Sequence, residues 1–146
     1  MNWVIKKFDA LTAKELYAIL QLRSEVFVVE QNCIFQDMDN KDQYSHHIMC
    51  WHEGQLVATA RLVPAGISYK APSIGRVVSS KAVRGNGTGQ ELMKIAIDEM
   101  RKLYGNTAIK IGAQFYLKKF YSSLGFEQTS EIYLEDGIEH IEMVMR

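Results

Sequence analysis

One stretch constrains this chain more than any other: VVSSKAVRGNGTGQELMKIAIDEM, residues 77 to 100. A β-branched run leads into three glycines within five residues, and an amphipathic run follows. Glycine costs conformational entropy, so a cluster implies a backbone that turns sharply or is closely approached. A strand that feeds a helix through such a loop belongs to a fold mixing both elements. The first N–H groups of that helix lack intrahelical partners, and its dipole puts partial positive charge there. Gly85, Gly87 and Gly89 bare those groups, and Arg84 adds a permanent charge with forked donors. Arg84, Gly85, Asn86, Gly87, Thr88 and Gly89 therefore read as a cradle for a phosphate or pyrophosphate. The alternative is a tight turn with no ligand. A P-loop is absent, because no Lys-Ser or Lys-Thr follows, and a dinucleotide fingerprint would need glycine where Gln90 stands.

The rest of the chain reads as an α/β fold with a mixed sheet, in the order β-α-β-β-β-α-β-α-β-β. NWVIKKF is a short strand. Thr12 and Glu15 form a capping box for a helix with Leu16, Ile19, Leu20 and Phe27 on one face, running to about Glu30. Residues 31 to 45 are polar and aperiodic. Two strands follow around the EGQ turn, then APSIGRVVSS, with Gly75 a candidate bulge. After the glycine loop, Leu92, Ile95, Ala96 and Leu103 line a helix from Gly87 to about Tyr104. TAIKIGA is a strand, and Leu117, Phe120, Tyr121 and Leu124 line a short helix ending at Gly125. The last strands, roughly 126 to 134 and 138 to 145, are joined by EDG.

The 146 residues, 47% hydrophobic, suit a single domain over 1–146, since no linker or repeat interrupts them. With 17 basic and 17 acidic residues, no global field favours nucleic acid or an anionic membrane. Cys33 and Cys50 lack metal-site spacing and read as free thiols of a reducing compartment. No signal peptide and no apolar run of about 18 residues is present, so the expected location is cytoplasmic.

Arg84, Gly87 and Gly89 match R/Q-x-x-G-x-G/A, and FYSSLGF, residues 120 to 126, matches F-Y-x-x-x-G-F. These are the two signatures of the GNAT superfamily of N-acetyltransferases, which the chain resembles along nearly its whole length. RSEVFVVEQ, ATARLVP, GRVV and YLEDGIEHIEM resemble its ElaA-like branch. The resemblance implies acetyl-CoA as co-substrate, no metal, and transfer of an acetyl group to a small-molecule or peptide amine by direct attack. It leaves a homodimer open. It puts the pyrophosphate on Arg84 to Gly89 and the pantetheine arm along the edge of the fourth strand, Val77, Val78 and Ser79, where the sheet splays. A backbone N–H near Val77 or Val78 would face the developing oxyanion.

By the same resemblance Tyr121 is the general acid for the departing thiolate, with Tyr116 as fallback. Periodicity also allows a plain core role, because Tyr121 shares an apolar face with Leu117, Phe120 and Leu124. Many relatives carry a carboxylate base on the fourth strand; SIGRVVSS has none, leaving Glu30, His46, His47 and His140, or a water chain. Arg61 and Arg76 stand on strands where apolar residues are expected. They read either as a clamp for an acceptor carboxylate or as partners of Glu25, Glu30 or Asp42. Asp37, Asp39 and Asp42 fall short of a calcium loop, with Asp42 at the glycine position and Ile48 at the glutamate position. They read as a solvated loop or as a steering surface for a cationic acceptor. Two other readings stand beside the transferase: an acyl-homoserine-lactone-synthase-like enzyme, and a non-catalytic acyl-CoA-binding sensor.

Overall fold

Thr12 opens the first helix as the sequence predicts. Its hydroxyl accepts from the Glu15 N–H at 3.1 Å, and the Glu15 carboxylate accepts from the Thr12 N–H at 2.8 Å. In this computed structural model, which describes all 146 residues, the elements are β1 (Asn2–Lys7), α1 (Ala13–Arg23), β2 (His46–His52), β3 (Gln55–Val63), β4 (Ser73–Ser79), α2 (Thr88–Tyr104), β5 (Ile109–Gln114), α3 (Lys118–Ser123), β6 (Glu127–Gln128), β7 (Tyr133–Glu135) and β8 (Ile138–Met145).

All eight strands join one sheet, in the order β1-β2-β3-β4-β5-β8-β6, with β7 also on β8. Neighbours are antiparallel except β4 and β5, which run parallel and share one rung, Ser73 with Lys110. Beyond that rung the two strands part, as expected of a splayed sheet. The core lies between the sheet and α2, which buries Leu92, Met93, Ala96 and Met100, with Ile95 and Leu103 at its rim.

Three expectations are corrected. The helix expected to reach Glu30 is α-helical only to Arg23 and continues as a π-helix over Ser24–Glu30. The wider winding is visible in bonds from Gln31 N–H to Val26 O at 3.2 Å and Cys33 N–H to Val28 O at 3.0 Å. Phe27, in this wider turn, is only half-buried, whereas Ile19 and Leu22 are fully buried. The strand expected over 126 to 134 is broken in two. Between its halves the Ser130 hydroxyl replaces a backbone carbonyl, accepting from the Glu142 N–H at 2.8 Å, and the chain steps off the ladder.

The bulge, finally, lies beside Gly75 rather than on it. Thr59 pairs with Val78 and Arg61 with Gly75, so Arg76 and Val77 together oppose Ala60. Arg76 takes the left-handed turn, with φ 48°, which costs a non-glycine residue about 1 kcal/mol or more.

Replacing Thr12 with Ala should remove about 1 kcal/mol of stability. A lowered urea midpoint with unchanged slope checks this.

Candidate functional site

Where β4 leaves β5, a cavity of about 1040 Å³ opens. The glycine loop stands at one end and the β7–β8 hairpin at the other. Along β4 the Ser80 N–H donates to Val57 O at 2.8 Å, on the β3 side. Backbone groups alternate sides in an antiparallel strand, so those of Ser79 face the cleft that β5 has vacated. The expected edge of Val77, Val78 and Ser79 therefore borders this space.

The loop N-terminal to α2 is built from backbone. Gly85 and Gly87 both have φ 85°, and nothing lies within 4 Å of where a Cβ would stand, so conformation rather than crowding requires glycine. Gly89 is helical, and its Cβ would only touch the Phe120 ring at 3.7 Å. Gly87 caps the helix without a side chain, and the first backbone bond runs from Glu91 N–H to Gly87 O at 3.1 Å. The N–H groups of Thr88, Gly89 and Gln90 thus have no helical carbonyl to donate to. Asn86 does not line the cavity; it accepts from the Thr88 hydroxyl at 2.6 Å. Arg84 is paired within the chain. It reaches back along β4, donating from Nε and Nη2 to Ser79 O at 3.2 and 3.0 Å and from Nη1 to Glu30. The cleft-side carbonyl of Ser79 has no strand partner and attracts it.

Tyr121 fits both sequence readings. Only 7% exposed, it packs edge-on against Phe120 and Phe126 at 5.1 and 6.1 Å, yet it lines the cavity. Burial, helped by the nearby Tyr116, pushes its hydroxyl well above the ordinary tyrosine range. The fallback Tyr116 is largely exposed.

Arg61 and Arg76 line the cavity, but their charges are already met. Arg61 holds Asp39 through Nη1 and Nη2 at 2.7 and 2.6 Å and reaches Asp42 at 3.1 Å. Arg76 holds the Asp37 carbonyl at 2.8 Å, the Asp37 carboxylate at 2.8 Å and Asp39 at 3.3 Å. Arg23, which the sequence reading missed, completes the set with Asp37 at 2.8 Å and Asp42 at 2.7 Å. Of the expected partners only Asp42 takes part, and Asp37 and Asp42, expected in a solvated loop, are buried against arginines. Burial pushes the carboxyls of Asp39 and Asp42 up, but the guanidiniums of Arg61 and Arg23 respectively outweigh it and hold both below the ordinary range.

His46 and His47 stand on β2 and do not line the cavity; His47 is buried against the Asp42 carbonyl at 2.9 Å. Glu30 does line it but is taken by Arg84, whereas His140 lines it on β8. Three lining residues were not singled out in the sequence reading: Tyr133, Tyr69 and Gly112. Tyr133 stacks on the His140 ring at 5.9 Å. The hydroxyls of Tyr69 and Tyr133 converge over Gly112, where a Cβ would come within 2.9 and 3.3 Å of them. Burial and the Tyr133 hydroxyl push Tyr69 up to about 12. A glycine at mid-strand in TAIKIGA is the signal that could have found this close approach.

A family profile described as Acetyltransferase (GNAT) domain matches residues 10–146. The protein ElaA of Escherichia coli is 41% identical over 145 residues, spanning 98% of this chain and 95% of its own; its crystal structure superposes with a TM-score of 0.93 at 39% identity, over 99% of each chain. An acyl-CoA N-acyltransferase from Pseudomonas aeruginosa superposes with a TM-score of 0.95 at 45% identity, over 99% of both chains. The AHL synthase LasI shares the fold alone, with a TM-score of 0.76 at 14% identity over 98% of this chain and 88% of its own.

Replacing Arg23 with Ala leaves Asp37 and Asp42 short of a counter-charge in the interior, and should cost about 3–5 kcal/mol in chemical denaturation. Because folding depresses Asp39 and Asp42, their contribution is complete above the unfolded carboxylate value of about 3.9 and fades as pH falls toward the folded values. Unfolding free energy followed by urea titration should therefore decline below about pH 4.

Proposed function

We propose, from the premise that the chain belongs to the GNAT acetyltransferase family and to its ElaA-like branch, that it moves the acetyl group of acetyl-CoA to a primary amine by direct attack in a ternary complex. One observation carries this reading. A helix N-terminus without a side-chain cap, a bare strand edge and a buried tyrosine border a single cavity. The residues fit such a ligand. The N–H groups of Thr88, Gly89 and Gln90 suit a pyrophosphate, and the cleft-side backbone of Ser79 suits the pantetheine amides. Arg84 sits within reach of both and would trade Ser79 O and Glu30 for phosphate oxygens.

Attack on the thioester builds negative charge on its oxygen, and the backbone N–H of Val77, at the bulge, would stabilise it. Tyr121 would give its proton to the leaving sulfur. Its raised hydroxyl keeps that proton in place at neutral pH. The lactone-synthase reading is disfavoured by the intact loop from Arg84 to Gly89, since that family generally lacks it.

Acetyl-CoA at one hundred times its Kd should stabilise the protein by about 2.7 kcal/mol, read from thermal melts. Replacing Tyr121 with Phe should leave that shift in place while released CoA falls at least about 100-fold. Melting unmoved by saturating acetyl-CoA would falsify the assignment, and binding with no turnover across an amine panel would favour a sensor.

A further inference from the structure

We infer that the acceptor enters between His140 and Glu135, that His140 is the general base, and that the acceptor is a cationic amine without a carboxylate near its reacting end. This rests on the acetyl-transfer reading above.

Register places His140 at the level of the bulge. Four residues on from the Ser73–Lys110 rung come Val77 on β4 and Gln114 on β5, and Gln114 pairs with His140 on β8. Cross-strand partners share a face, so His140 and Gln114 look the same way. Gln114 is itself tied to Gln31 by two amide bonds, at 3.0 and 3.2 Å.

The ring of His140 is fixed from two sides. Its Nδ1 lies 2.8 Å from Ile138 O, and a carbonyl only accepts, so Nδ1 carries the hydrogen. In the neutral ring Nε2 is then a bare lone pair. Tyr133 stacks on the ring and holds its plane. The other charged group facing it is Glu135 on β7, with Oε2 3.5 Å from Nε2. Glu142, two residues on along β8, is held by Lys110 at 2.8 Å. A lone pair and a carboxylate set side by side are two acceptors without a donor between them. An ammonium, with several N–H donors, satisfies both.

The chemistry balances. Nε2 takes one proton from R–NH3⁺ and passes it to solvent, and the imidazolium formed meanwhile faces Glu135. The freed nitrogen pair forms the N–C bond to the acetyl carbon as the C–S bond breaks. The second nitrogen proton passes to Nε2, by then neutral again, as the amide forms; the sulfur takes the Tyr121 proton, and the phenolate regains one from solvent as the thiol leaves. A carboxylate near the reacting amine finds no open guanidinium, because Arg61 and Arg76 already hold Asp39 and Asp37 and Arg84 is occupied by Glu30 or by phosphate, and it would meet Glu135.

The test compares His140→Gln and Glu135→Gln with the unaltered protein on 1-aminopropane and on 2-aminobutyrate, which differ by a carboxylate on the carbon that bears the amine. The unaltered protein should prefer 1-aminopropane. H140Q should lose about 100-fold in kcat at neutral pH and recover toward the amine's own value near pH 10.4, with its acetyl-CoA melting shift intact. E135Q should raise KM for 1-aminopropane while kcat changes little. Preference for 2-aminobutyrate, or an H140Q rate and pH profile matching the unaltered protein, overturns the inference and leaves acetyl transfer standing. Absence of any acetyl-CoA shift in the unaltered protein overturns both.

Discussion

Three guanidinium groups locked onto three carboxylates hold this architecture in place. Arg23 comes from α1, Arg61 from β3, Arg76 from β4, and Asp37, Asp39 and Asp42 from one loop. The charges cancel in a nearly dry interior, where any one of them alone would be costly. The network ties a polar, aperiodic segment to the sheet. It also fastens the Arg76 side chain, whose backbone carries the left-handed strain of the bulge. The bulge lies in β4, just past the single rung it shares with β5, so the ion network and the cavity are parts of one device.

The two ends of the cavity use different chemistry. Toward α2 the polar groups are main-chain: free N–H donors at the helix start and the cleft-side groups of Ser79. Toward β8 they are side chains fixed by neighbours: His140 by Ile138 O and Tyr133, Gln114 by Gln31. The main-chain end suits a constant partner such as a cofactor. The side-chain end is where a change of residue alters which molecule fits.

What could be read in advance follows from how local each signal is. The Thr12–Glu15 box, the Asp136–Gly137 and Glu53–Gly54 turns and the glycine loop depend on residues near in sequence, and they formed as expected. Arg23 was missed because a charged residue beside Leu22 reads as the exposed face of a helix. Only its three-dimensional partners, Asp37 and Asp42, make burial affordable. The π-turn was invisible because an apolar periodicity does not report winding. Arg84 was recognised as a loop residue, but its orientation depends on an unpaired carbonyl at Ser79 and on Glu30, distant in the chain. Likewise Tyr69 and Tyr133 meet over Gly112 only through tertiary packing.

The lone rung between Ser73 and Lys110 divides the sheet into two rafts joined at a corner. Hydrogen bonding resists sliding within each raft but says little about the angle between them. That angle is set by α2 and the apolar layer beneath it, which is close-packed and yields little. Widening the gap would thus strain side-chain packing far more than backbone pairing, of which a single rung is at stake.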